Sequence, residues 1–189
     1  MSVAIAPLAW RLDARLREAP EDAEAFARAV DAIVDEIANA RSQPARLLDM
    51  LGRAAPLLRI AGSLEEARKT ASAAIALAEI LEDARAVFAN QLALARVMQW
   101  EERFEISTPL FDQLISQARS NPAQAESLHA ALFDAGTNLF DQGRHAEAAR
   151  FFREAQALRR KGGLEELLEM SAEAIRRTVE LASRGERSS

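Results

Sequence analysis

The chain has 189 residues, of which 49% are hydrophobic and 28% charged, and its net charge is −5 at pH 7. This length suffices for the core of one globular domain without cross-links, and the interspersed charges lack the basic stripe that nucleic-acid binding requires. The absence of cysteine excludes disulfides, thiolate metal sites and a cysteine nucleophile. Helix-favouring Ala, Leu, Arg and Glu outnumber strand-favouring residues, so the composition predicts an all-α fold.

The first predicted elements are two N-terminal helices. A short helix is predicted over Leu8–Arg17, ended by Pro20, and a longer one over Glu21–Arg41, where apolar residues recur at helical spacing. Met1–Trp10 has neither a basic leader nor a long apolar run, and no stretch approaches the ~20 apolar residues that span a bilayer. We therefore expect a cytoplasmic protein without membrane contact.

Three stretches further along the chain repeat one pattern of small and large residues, at intervals of 40 and 41 residues. The first halves read Leu51-x-x-Ala54-Ala55-x-x-Leu58, Gln91-x-x-Leu94-Ala95-x-x-Met98 and Leu132-x-x-Ala135-Gly136-x-x-Leu139. The second halves read Ala67-x-x-x-Ala71, Ser107-x-x-x-Phe111 and Ala148-x-x-x-Phe152. Small residues let two antiparallel helices approach closely, and the larger ones fill the space between these contacts. The pattern therefore predicts three stacked helix pairs.

The third copy, with Gly143 at its turn, resembles the signature of the tetratricopeptide repeat (TPR) family. The resemblance implies an all-α, right-handed superhelix of antiparallel helix pairs, a TPR-like solenoid. The family's usual period is about 34 residues, so longer helices or loops are expected here. The predicted organisation is a single domain over residues 1–183, followed by a disordered tail at 184–189. Its parts are N-terminal helices (1–43, a degenerate repeat), repeats at 48–81, 88–121 and 129–162, and a capping helix at 164–183.

Residues able to carry catalysis are sparse. His129 and His145 are the only histidines, and neither has a partner in sequence at metal-ligand spacing. His145 occupies a turn position of the repeat, which favours a structural role. Carboxylate pairs such as Glu65-Glu66 are adjacent, and adjacent residues on a helix diverge by about 100°. We therefore expect no catalytic residue, no metal and no cofactor, and the chain is not expected to be an enzyme.

In TPR proteins the first helices of successive pairs line a concave groove. The matching positions here hold Arg59, Leu92, Arg96, Gln99, Trp100, Phe133, Thr137, Phe140 and Asp141. Trp, Phe and Arg are typical of binding hot spots, and arginines suit a carboxylate ligand. The alternative is that Trp100, Phe133 and Phe140 are buried by the N-terminal helices or by a second protomer.

The resemblance implies a scaffold that binds a peptide or helix of a protein partner in this groove. Two alternatives stay open: a self-associating structural homodimer, and an adaptor or secretion-type chaperone. Some members of the family bind chaperone tails through a clamp of Lys, Asn and Arg residues. The corresponding positions here are Gly52, Pro56, Ala93, Ala130 and Asp134. An Hsp-type C-terminal tail is therefore not an expected ligand.

Overall fold

A computed structural model describes the backbone of residues 9–186 and the side chains of residues 9–183. Apart from one short hairpin, the described chain is helical, which confirms the predicted all-α repeat fold. The α-helices are α1 (Ala23–Ala40), α2 (Pro44–Ile60), α3 (Leu64–Ile80), α4 (Ala84–Trp100), α5 (Phe104–Ser120), α6 (Leu128–Asp141), α7 (His145–Lys161) and α8 (Leu168–Glu186). Single 3-10 turns at Ala125–Ser127 and Glu165–Leu167 precede α6 and α8.

Helices α2 to α5 are each 17 residues long and are joined by three-residue connections. The middle residue of each connection has a positive φ, with values of 81° at Gly62, 56° at Glu82 and 58° at Glu102. This conformation ends a helix because the following amide turns back into the last turn, as where Ser63 N donates to the Leu58 carbonyl at 2.9 Å. A helix pair with its connections thus takes 40 residues.

Replacing the exposed Glu82 with glycine is expected to raise the free energy of unfolding by about 0.5–1 kcal/mol. A left-handed φ costs a residue with a Cβ about 1–2 kcal/mol, and the greater freedom of glycine in the unfolded chain offsets part of the gain. Urea denaturation followed by circular dichroism measures the difference.

Gly62→Ala is the matched control, because nothing lies within 4 Å of the added Cβ and only the backbone conformation is penalised. It is expected to lower the free energy of unfolding by about 1 kcal/mol. Equal stabilities for the wild type and Glu82→Gly would show that the connection at Glu82 carries no backbone strain.

Packing divides the predicted single domain into two compact units. Of the described residues, the first unit contains 9–13 and Glu18–Glu101, and hence α1 to α4. The second contains Ala14–Arg17 and residues 102–186, and hence α5 to α8. We call residues 9–20 the N-terminal segment, and it supplies residues to both units.

The core of the first unit forms among its helices and includes Phe26, Ile33, Met50, Leu57 and Val97. Helix α3 contributes a row of fully buried alanines: Ala67, Ala71, Ala74 and Ala78. Ala67 belongs to this core, and Ala74 and Ala78 pack with Leu48 and Leu51 in a second cluster. Because this face projects no further than Cβ, α3 packs closely against both α2 and α4, and α2 and α4 also contact each other.

The core of the second unit includes a close approach between α6 and α7. A Cβ added at Gly136 would lie 2.6 Å from Cε1 of Phe152, which is fully buried. Glycine is therefore required where the Phe152 ring covers the α6 backbone. Between α5 and α6, the buried Ser107 hydroxyl donates to Oδ1 of Asn138 at 2.6 Å.

The predicted helix over Leu8–Arg17 is wrong for residues 9–17. Strand β1 (Trp10–Leu12) pairs antiparallel with β2 (Glu18–Pro20), and Leu16 between them is 1% exposed with φ 56°. Buried and charged contacts of this segment outweigh its local helix preference. The predicted region at residues 1–8 lies outside the described residues.

The C-terminal helix lies over the predicted cap at 164–183 but extends beyond it. After Gly163, with φ 67°, a 3-10 turn leads into α8, which packs against α7. Its fully buried positions are Ser171, Ala174 and Thr178. Because α8 continues to Glu186, disorder from residue 184 is wrong for residues 184–186. Residues 187–189 of the predicted tail lie outside the described residues.

Candidate functional site

Two arginines of the first unit converge on a single carboxylate, that of Glu18. Arg59 in the last turn of α2 donates from Nη1 to Oε2 at 3.0 Å and from Nη2 to Oε1 at 3.2 Å. Arg96 on α4 donates from Nη2 to Oε2 at 2.7 Å. The Arg59 guanidinium also lies over the Trp100 ring, 4.6 Å from its centroid. We call Arg59, Arg96 and Trp100 the paired-arginine site.

Burial and charge act in opposite directions on Glu18. Its side chain is 21% exposed, while those of Arg59 and Arg96 are 5% and 7% exposed. Burial raises the pKa of the Glu18 carboxyl, but the charges of Arg96 and Arg59 outweigh burial and bring the pKa from 4.5 down to about 2. Glu18 is therefore ionised at neutral pH, and the cluster of one carboxylate and two guanidiniums retains one net positive charge.

The sequence assigns Arg59 of the first repeat and Arg96 and Trp100 of the second to one groove, and the structure brings all three together in the first unit. Arg96 and Trp100 are one helical turn apart on α4, so both point toward the end of α2. The other predicted groove residues of this unit lie on the same helix: Gln99 is fully buried, and Leu92 is partly buried.

In the second unit the predicted aromatic residues are buried in side-chain contacts. Phe133 is 4% exposed, with its ring 5.2 Å from that of Phe152 and 4.3 Å from the Arg159 guanidinium. Phe140 is 6% exposed and packs against His145 at 5.0 Å. Thr137 is fully buried and donates from Oγ1 to the Asp134 carbonyl at 2.7 Å.

Asp141, the last predicted groove residue, binds two arginines of the N-terminal segment. Its side chain is 1% exposed and accepts from Arg15 Nε at 3.2 Å and from Arg17 Nη2 at 3.0 Å. Arg15 also donates to Glu102 at 2.9 Å. In both units, therefore, charged residues of the N-terminal segment bind residues that the sequence assigns to a groove.

Sequence reasoning missed Arg15, Arg17 and Glu18. Glu18 is separated from Arg59 by 41 residues and from Arg96 by 78, and Arg17 from Asp141 by 124. No local spacing or motif marks these pairs, because each depends on how the chain folds back on its helices.

Both histidines are shifted toward the neutral form. Burial lowers the pKa of His129, as does the charge of Arg159, whose Nε donates to His129 Nδ1 at 3.4 Å. Burial lowers the pKa of His145. Among residues 9–183, no group of three or more His, Asp or Glu side chains could hold a metal ion. Nor is any helix within residues 9–186 long and apolar enough to cross a bilayer.

Comparison with solved structures identifies the architecture. No protein-family profile matches the sequence, and no curated protein matches it. The fold is similar to the nearly identical TPR-like repeats of a candidate kinesin light chain from Podosopora anserina, with a TM-score of 0.56 and 15% identity over 87% of this chain and 90% of that chain. A glutamine-to-methionine variant of that protein matches with a TM-score of 0.56 and 14% identity over the same shares. The chain thus has a TPR-like helical-repeat fold, as its sequence pattern predicts.

Proposed function

We propose that the chain is a protein-interaction scaffold that holds an extended segment of a partner protein on the first helices of its helix pairs. The binding face lies in the first unit and consists of Arg59, Leu92, Arg96 and Trp100. Gln99 in this unit, and Phe133, Thr137, Phe140 and Asp141 in the second unit, occupy predicted groove positions, but their side chains are buried. The observation that carries the proposal is that the face of the first unit already binds an extended segment, because Glu18 belongs to a β-strand.

The chemistry of this face suits peptide binding. A guanidinium stacked on an indole presents a flat, oriented donor, and less freedom is lost when such a donor binds. Tryptophan and arginine are also the residues most enriched among binding hot spots. A TPR-like fold places such side chains on rigid helices, which keeps their spacing fixed.

Trp100→Ala is expected to reduce recovery of the partner at least about tenfold in affinity purification from the native host. The matched control is Ile80→Ala, which removes an apolar side chain that is 77% exposed on α3. Circular dichroism confirms that both variants remain helical. The proposal is wrong if Trp100→Ala recovers the same partners in the same amounts as the wild type and Ile80→Ala.

A further inference from the structure

We propose that the paired-arginine site binds a glutamate from an extended segment of the partner, and that Glu18 occupies this site as an intramolecular competitor. The inference rests on the proposed function and specifies the ligand chemistry of the same face. Its occupant is a carboxylate side chain on extended backbone, because that is what the site holds in this structure.

The geometry of the donors selects a carboxylate. Arg59 presents two Nη groups to the two oxygens of Glu18, the fork arrangement that matches a planar carboxylate. Arg96 adds a third donor to one of these oxygens. A neutral amide in the same place offers only one oxygen and no charge, so glutamine is a poor substitute for glutamate.

The two buried arginines are stabilised by a bound anion. Arg59 and Arg96 are both buried and donate to the same carboxylate oxygen. When Glu18 leaves, both largely dehydrated guanidiniums lose a charged hydrogen-bond acceptor. A second carboxylate that enters as Glu18 leaves avoids this cost, so exchange of one carboxylate for another is the favoured route.

The element that carries Glu18 is small enough to be displaced. Strands β1 and β2 have three residues each, and an isolated two-stranded hairpin is at best marginally stable in water. Trp10 at its start is 41% exposed. The N-terminal segment competes with the partner for the paired-arginine site. Because it is part of the same chain, its effective concentration at the site is about millimolar. A partner therefore binds with an apparent affinity reduced by the fraction of time that the site is closed.

The test uses the full chain and a fluorescent synthetic peptide with the sequence of residues 10–20, WRLDARLREAP, in an anisotropy titration. Binding to Glu18→Ala is expected to be at least about tenfold tighter than binding to the wild type, because the competing carboxylate is gone. A matched peptide with glutamine in place of its glutamate is expected to lose this gain. The double variant Glu18→Ala/Arg96→Gln is expected to bind the glutamate peptide no more tightly than the wild type does.

A second variant tests whether burial of Leu16 keeps the N-terminal segment in place after Glu18 is removed. Leu16→Ala/Glu18→Ala weakens that anchor too, and circular dichroism reports whether its helices persist. If the glutamate and glutamine peptides bind equally well to Glu18→Ala and to Leu16→Ala/Glu18→Ala, the site does not select a carboxylate and the proposal is wrong. Equal binding to the wild type and both variants overturns the competition, and so does the absence of binding at millimolar peptide. The proposed function fails separately, when Trp100→Ala retains the native partners.

Discussion

Replacing Phe152 with alanine is expected to lower the free energy of unfolding by about 4 kcal/mol. The Phe152 ring is fully buried, covers the α6 backbone at Gly136 and packs against Phe133 at 5.2 Å. Truncation removes this contact from both helices, and a backbone already in close approach cannot move in to fill the space. Urea denaturation followed by circular dichroism measures the loss.

The chain offers a matched control in the adjacent residue. Phe151 lies on the same helix and is only partly buried. Phe151→Ala is expected to cost about 1 kcal/mol, since less apolar surface is removed from contact and no enclosed cavity forms. If the two variants lose equal stability, the close approach at Gly136 does not depend on the Phe152 ring.

Replacing Glu18 with glutamine is expected to lower the free energy of unfolding by up to about 3 kcal/mol at pH 7, following the shift of its pKa from 4.5 to about 2. The folded-state pKa lies below the ordinary value, so this contribution is complete above about pH 4.5. It is lost as the pH falls toward 2, where the carboxyl is protonated in both states. Measuring wild type and variant by denaturation from pH 7 down to about pH 3 follows the loss.

Glu21→Gln is the control for this series, because Glu21 is an exposed carboxylate next to the same hairpin. Its effect is expected to stay within about 0.5 kcal/mol across the pH range. A difference between the wild type and Glu18→Gln that does not shrink on acidification would assign the loss to packing of the side chain instead of its charge.

The helix pairs could be predicted because the determinants of their packing recur locally in the sequence. Gly136 and Phe152 illustrate this, since the spacing alone identifies one as a close-contact position and the other as the side chain that fills it. The connection at Glu82 shows the limit of such reasoning. Its left-handed backbone is imposed by the regular helix spacing, although glycine would be the favoured residue there.

The candidate site could be predicted only in part. Helical spacing places Arg96 and Trp100 on one face, but it does not reveal that Glu18 binds there. The local sequence around Glu18 favours helix, whereas in the structure Glu18 belongs to a strand and its side chain binds two distant arginines. Pairing across 41 and 78 residues is a property of the folded chain, so no reading of local pattern could supply it.

The alanine face of α3 sets the distance between the two helices that carry the paired-arginine site. Arg59 and Arg96 stand on α2 and α4, and both helices pack on α3. If Ala71 or Ala74 carried a larger side chain, the two helices would be wedged apart and one carboxylate could no longer reach both guanidiniums. The distance between the two guanidiniums is thus set by the small alanine side chains of α3, which keep α2 and α4 close together.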